Sequence, residues 1–225
     1  TAAEYDPMYP VYLAVDPGIA FASVVLFIQQ VNGQLRVFDE LYLAEVLNRD
    51  MVTMVQQHPA FGNIEKVVFD PYGGTQRAMG QEAVITTWQE RLGGRGITFT
   101  APRDPRPKIA DRLARVHDYL APNQRLGGHP GLIYAPRCKE SVRELEGWID
   151  DDGNERGYRY RMTETGEIAS ETPNPVDDHA SSAIGYFIIE HIGYSDVRRT
   201  RPQAVQKTPA FLTAFQRPGQ FAARR

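Results

Sequence analysis

The stretch Val11–Gln30, VYLAVDPGIAFASVVLFIQQ, is β-prone almost without a break, and its one interruption is Asp16-Pro17-Gly18. That pattern predicts two strands with a turn after the first. Directly beyond it, Val31-Asn32-Gly33 signals a hairpin, because Asn-Gly suits a type I′ turn with positive φ at both central residues. A third strand follows over Leu35–Leu43. Three sequential strands joined in this way make an antiparallel meander.

Past the meander, Glu45–Gln57 is helical by pattern and is stopped by Pro59. A short strand, Lys66–Phe69, then runs into Asp70-Pro71. From there helix and strand alternate: helix Arg77–Leu92, strand Gly96–Thr100, helix Lys108–Leu120, strand Gly131–Tyr134, helix Cys138–Ile149. Gly157–Glu171 reads as a hairpin with Thr165-Gly166 near its turn. An amphipathic helix from about Asp177 to His191 closes the pattern, with Ala180, Ala183, Ile184, Phe187 and Ile188 recurring at i, i+3, i+4, i+7. The predicted class is α/β: a mixed central sheet, antiparallel meander first and parallel additions after, flanked by helices.

The chain has 225 residues, 42% of them hydrophobic and 24% charged, enough for one domain with a buried core. No run of about 18 apolar residues is present, so no membrane-spanning helix is expected. The single Cys138 excludes a disulfide framework and a multi-cysteine zinc site, and it fits a reducing compartment. No signal-peptide pattern is visible. Residues 1–10, TAAEYDPMYP, read as a linker remnant, and the opening Thr suggests a piece of a longer protein.

The formal net charge of −3 speaks against a strongly basic nucleic-acid or membrane-surface protein, but it hides an asymmetry. Residues 198–225 hold six Arg, one Lys and no acid. Residues 1–197 carry 18 basic and 28 acidic side chains, a net of −10. The basic tail is either a plain terminus or an arm for DNA phosphate or a partner.

Three acids stand at chosen places. Asp16 ends the first strand, Asp70 ends the fourth, and Asp177-Asp178 open the last helix. Each alone has a structural reading, as a turn, a strand exit or a helix cap. Together they form the arrangement of a ribonuclease-H-like nuclease. Phosphodiester hydrolysis needs an activated water and stabilised charge on phosphorus, which two divalent cations about 3.5–4 Å apart supply. Hard Mg²⁺ or Mn²⁺ prefers carboxylate oxygens. Asp16, central in the sheet, is the natural bridging ligand.

The motifs AVDPG at Asp16, VVFDPYGG at Asp70, KIADRLARVHDYL followed by GLIYAPRCKESVRELEGW, and PVDDHASSAIGYFI appear in this order over most of residues 11–192. This order and spacing resembles the nuclease domain of the large terminase subunit of tailed bacteriophages. The resemblance implies a two-metal endonuclease cutting concatemeric double-stranded viral DNA, with two Mg²⁺ or Mn²⁺ ions. It implies an ATPase domain ahead of this chain, the portal protein and small terminase subunit as partners, and the host-cell cytoplasm as location. In its commonest form the family has a third catalytic Asp where this chain has Ser182, counting from His179. Asp178 lies four residues earlier on the same helix face and is our candidate third ligand, with Asp177 or His179 beside it. The site set is therefore Asp16, Asp70 and Asp178, with Asp177 as an additional ligand.

Candidate DNA contacts are Arg103, Arg106, Lys108 and Arg112 around the third predicted helix or its approach, Lys139 and Arg143 at i, i+4 on the next helix, and Arg159 and Arg161 on one face of the hairpin. Arg103, Arg106, Lys108 and Arg112 also read as a solvated, self-neutralising helix face, Lys139 and Arg143 can equally pair with Glu140, Glu144 or Glu146, and Arg159 and Arg161 equally belong to a plain structural hairpin. Gly73-Gly74 permits close backbone approach to DNA or serves as a loop. His58, His117 and His129 lack metal-ligand spacing and read as structural. Cys138 reads as buried, and Trp88 and Trp148 as helix-face core residues.

No Gly-x-x-x-x-Gly-Lys-Ser/Thr motif occurs, so this chain does not hold the packaging ATPase. No recognition helix with a base-reading set is visible, so cutting is expected to be largely independent of sequence. Two alternatives remain: a Holliday-junction resolvase or other ribonuclease-H-like nuclease, and a non-catalytic portal-docking module with a degenerate site. A sugar-kinase or actin-type ATPase needs two lobes and more chain than this.

Overall fold

The meander forms as its sequence predicts. The computed structural model describes residues 3–18, 22–71, 84–102, 109–153, 155–157, 160–162, 168–173 and 178–193. Strands β1 (Val11–Asp16), β2 (Ser23–Val31) and β3 (Gln34–Leu43) pair antiparallel in sequence. Asn32 and Gly33, at φ 52° and 82°, make the turn between β2 and β3. This positive φ is the backbone that Asn and Gly tolerate best.

Helix α1 (Asn48–Gln57) leads through a 3₁₀ turn at Pro59–Asn63 into β4 (Ile64–Phe69). Helix α2 (Val84–Leu92), β5 (Thr98–Thr100) and α3 (Ile109–Leu120) follow. The two-residue strands β6 (Pro122–Asn123) and β7 (His129–Pro130) pair with each other, ahead of β8 (Leu132–Tyr134) and α4 (Lys139–Glu146). Two small antiparallel pairs come next: β9 (Trp148–Ile149) with β10 (Glu155–Arg156), and β11 (Tyr160–Met162) with β12 (Ile168–Pro173). Helix α5 (His179–Ile192) is the last described element.

The central sheet runs β5-β4-β1-β2-β3-β8. Strand β4 is parallel to β1, β5 to β4, and β8 to β3. The mixed α/β architecture expected from the sequence is thus present, with parallel strands added on both sides of the meander.

Alternation along the strands divides the core into two layers. Leu13 and Val15 of β1 and Val67 and Phe69 of β4 pack with Met51, Val52 and Val55 of α1 and Val84, Trp88 and Leu92 of α2. Ala14 of β1 and Val68 of β4 face the other way, against Ala180, Ala183, Ile184, Phe187 and Ile188 of α5. The predicted apolar stripe of α5 meets the sheet, but the helix has no solvent face over this length: every residue from Ala180 to Ile189 is buried, Ser181, Ser182 and Gly185 included.

Three local readings change. The helix expected over Cys138–Ile149 stops at Glu146, because Gly147 turns to φ 70° and its N–H closes on the Arg143 carbonyl at 2.8 Å. Trp148 therefore sits in β9, half-buried under the Arg143 guanidinium, whose carbon is 4.5 Å from the ring centroid. Trp88 does fill the core, its indole N–H donating to Asn48 at 2.7 Å.

Residues 3–10 are not a free linker. Gln29 is fully buried, and its amide bonds the Asp6 N–H and the carbonyls of Asp6 and Tyr9. Tyr5 packs against Phe38 with ring centroids 5.2 Å apart. A buried amide needs those partners, so the segment is held down. Residues 72–83, including Gly73-Gly74 and the start of the helix expected at Arg77, lie outside the described residues, as do Thr165-Gly166 and the tail 198–225.

Candidate active site

Strand parity decides where Asp16 and Asp70 point. Asp16 shares its face with Tyr12 and Ala14, and Asp70 with Lys66 and Val68. Both therefore project toward α5, from the C-terminal ends of two adjacent parallel strands. The Asp70 N–H extends the ladder, donating to the Val15 carbonyl at 2.8 Å. Both residues are buried, Asp16 at 9% and Asp70 at 8% exposure.

Helix α5 begins at the same place. His179 Nδ1 lies 3.1 Å from Asp16 Oδ2. Burial pushes the Asp16 carboxyl up from its ordinary range, and the bond to His179 and the nearby Arg112 charge only partly offset this. The bond to Asp16 raises the His179 imidazole, against the opposing effect of its own burial.

Asp178 occupies the N-cap position of α5 without a side-chain capping bond. Its Oδ2 instead accepts from the Ser182 hydroxyl at 3.2 Å. Ser182 thus orients the Asp178 carboxylate one helical turn back. The Asp178 charge acts on Asp16, His179 and Glu144, raising each. Asp177 lies outside the described residues.

Sequence alone makes Glu144 a pairing partner for surface bases, yet it is 1% exposed. Its two carboxylate oxygens accept the N–H groups of Ala180 and Ser181 at 2.9 and 2.7 Å. These are the first-turn donors of α5 that the cap residue leaves open. Burial raises Glu144 to about 7, the two backbone bonds pulling the other way. The sequence signal is its spacing, three residues after Ser141, the other buried residue of α4. Glu40 does the same one layer back, accepting the N–H groups of Glu140 and Ser141 at 2.8 and 3.0 Å.

The structure corrects one DNA-contact assignment. Arg112 is 5% exposed, with its guanidinium 4.3 Å from the Tyr186 ring centroid. It crosses α5 at Gly185, where an added Cβ would collide with its Cγ and Cδ. A side chain covered by a helix offers no surface to a phosphate. Arg115, on the same face, is equally buried and donates to the Gly193 carbonyl at the end of α5. Lys139 and Arg143 are exposed on α4, and Arg143 is 3.6 Å from Glu140. Arg103, Arg106, Lys108 and Arg159, and the side chain of Arg161, lie outside the described residues. His58 is structural: it stacks on Phe27 at 3.8 Å and its Nδ1 accepts from Ala60 N–H. Cys138 is buried and its thiol is pushed up to about 12 by burial.

Among the described residues, no three His, Cys, Asp or Glu side chains are gathered closely enough to hold one ion. The donor chemistry nevertheless fits a hard divalent cation: anionic oxygens from two acidic strand ends, a third acid, and an imidazole bonded to Asp16.

No family model and no curated protein sequence matches the chain. Solved structures do. The large terminase of the thermophilic bacteriophage D6E aligns at 16% identity and a TM-score of 0.56, over 86% of this chain and 42% of that one. The nuclease domain of the large terminase of bacteriophage SPP1, solved with bound Mn, aligns at 13% identity and 0.53, over 81% and 86%. The P22 large terminase nuclease domain aligns at 14% identity and 0.53, over 88% and 90%. The chain has the fold of a large terminase nuclease domain. It spans about two fifths of the D6E protein, which was also solved with ADP and with ATP-γ-S. The ribonuclease-H-like architecture expected from the residues is present.

Proposed function

We propose that this chain is the metal-dependent endonuclease domain of a phage DNA-packaging terminase, cutting concatemeric double-stranded DNA. The observation that carries the reading is the placement of Asp16 and Asp70 at the ends of adjacent parallel strands, on the sheet face that α5 covers, with His179 at the start of α5 bonded to Asp16. Asp16 and Asp70 would hold Mg²⁺ or Mn²⁺, with Asp178 or His179 completing the set; the bound Mn of the SPP1 nuclease domain supports that choice. When bound, two such ions supply an activated water and charge stabilisation at phosphorus. The chain's own residues prepare the place. His179 holds the Asp16 carboxylate by a hydrogen bond, and Ser182 holds Asp178. Asp16 ligates a cation as the carboxylate, so metal binding competes with its protonation.

The domain takes in the segment held down from residue 3 and extends to residue 197 in this reading, with residues 198–225 a basic arm for DNA phosphate or a partner. The ATPase domain precedes it in the intact protein, a view supported by the nucleotide complexes of the longer D6E terminase. The portal protein and small terminase subunit are its partners, in the host-cell cytoplasm. Plasmid DNA incubated with Mn²⁺, Mg²⁺ or EDTA tests the activity. Cutting that needs metal and disappears in Asp16→Asn and Asp70→Asn is expected. Cutting in EDTA, or none under any condition, overturns it.

A further inference from the structure

Neither α4 nor α5 is capped by the side chain at its own N-cap position: Cys138 and Asp178 make no such bond. Each helix start is held instead by a carboxylate from the element packed behind it. Glu40 on β3 holds the first turn of α4, and Glu144 on α4 holds the first turn of α5. The Tyr42 hydroxyl adds a contact to Glu144 at 3.4 Å, again from β3. The chain of support runs from the sheet through α4 to the residues that face Asp16.

We propose that Glu144 is a positioning residue of the metal site: by bonding the Ala180 and Ser181 amides it sets where Asp178 and His179 stand relative to Asp16. This rests on the nuclease reading above for the metal, but not for the clamp itself. Asp178 and His179 are the two residues directly before the clamped amides, so their backbone has little freedom once those amides are held. Glu144 touches neither the ion nor the DNA in this scheme. Outer-shell partners of this kind change metal affinity by about 10–100-fold when removed.

The test uses the full 225-residue chain as Glu144→Gln and as Glu144→Asp. Gln keeps the shape but replaces one acceptor oxygen by an NH₂ group; Asp keeps the charge but withdraws it by one methylene. Two readouts are taken on folded protein. Amide hydrogen exchange in EDTA is expected to quicken at Ala180 and Ser181 and not along the β1–β2 ladder. Mn²⁺ titration by calorimetry is expected to show affinity reduced about 10-fold or more. Unchanged exchange at these amides, or unchanged Mn²⁺ affinity in a variant whose amides have loosened, overturns the proposal. If the parent chain binds no Mn²⁺ at all, the nuclease reading fails, while the exchange result still decides whether Glu144 clamps α5. Should Glu144→Gln not fold, Glu144→Asp carries both readouts, and the same results support or overturn the proposal.

Discussion

Asp16, Glu144 and His179 each hold a proton more tightly in the folded chain than in the unfolded one. Burial is the main cause for the two acids, and the bond to Asp16 for the imidazole. A group with a raised folded pKa binds more protons folded than unfolded, so its contribution to stability falls as pH rises. For Glu144 the window runs from the ordinary 4.5 to about 7. His191 and His117 are lowered by burial and act in the opposite sense, so the contribution is isolated by difference. We expect the Tm of the parent minus that of Glu144→Gln, both in EDTA, to shrink by a few degrees between about pH 5 and 7.5. Differential scanning fluorimetry across that range checks it; a difference that stays flat or grows contradicts the assignment. With Mn²⁺ present, the stabilisation of the parent should grow over the same range, because the ligands must shed their protons to bind.

At the scale of elements, the crossing of α3 and α5 is built around one missing side chain. Gly in mid-helix ordinarily costs roughly 0.5–1 kcal/mol relative to Ala, so Gly185→Ala would stabilise an isolated α5. Here the added methyl meets the Arg112 stem, and the alternative is displacing a buried guanidinium stacked on Tyr186. Overpacking of about 1–3 kcal/mol outweighs the propensity gain, so Gly185→Ala should destabilise. Pairing it with Arg112→Ala removes the collision. Urea unfolding of the two single variants and the double should give a favourable coupling between the sites, whereas additive effects would mean that the contact carries no strain. The element pattern itself is readable from the residues. The i, i+3, i+4, i+7 stripe of α5 and the Asn-Gly turn after β2 announce themselves through periodicity and φ preference. Arg112 does not, because a basic residue in a basic segment looks solvated until a second helix is laid over it.

Across the whole molecule, residues 3–10 belong to the folded unit. Removing residues 1–10 takes away the partners of the fully buried Gln29 amide and the Tyr5 ring on Phe38. Leaving such an amide without its bonds costs about 1–3 kcal/mol. At this size that lowers Tm by roughly 2–4 °C per kcal/mol, which a thermal melt of the shortened chain against the parent reads directly. An unchanged Tm would restore the linker reading. Composition points the other way because Pro, Asp and Thr early in a chain look like connector sequence, while the demand that ties them down sits on β2.

Local chemistry determined much of this protein. Period-two alternation put Asp16 and Asp70 on the face opposite Leu13, Val15, Val67 and Phe69, and the stripe of α5 determined which side of that helix meets the sheet. Those are properties of consecutive residues, and they are legible in one dimension. Tertiary structure alone decided that β4 lies beside β1, that His179 meets Asp16, and that Glu144 rather than Asp178 holds the start of α5. Each of these joins residues far apart in the chain. They exist because a buried carboxylate or an open helix end must find a partner wherever packing brings one within about 3 Å.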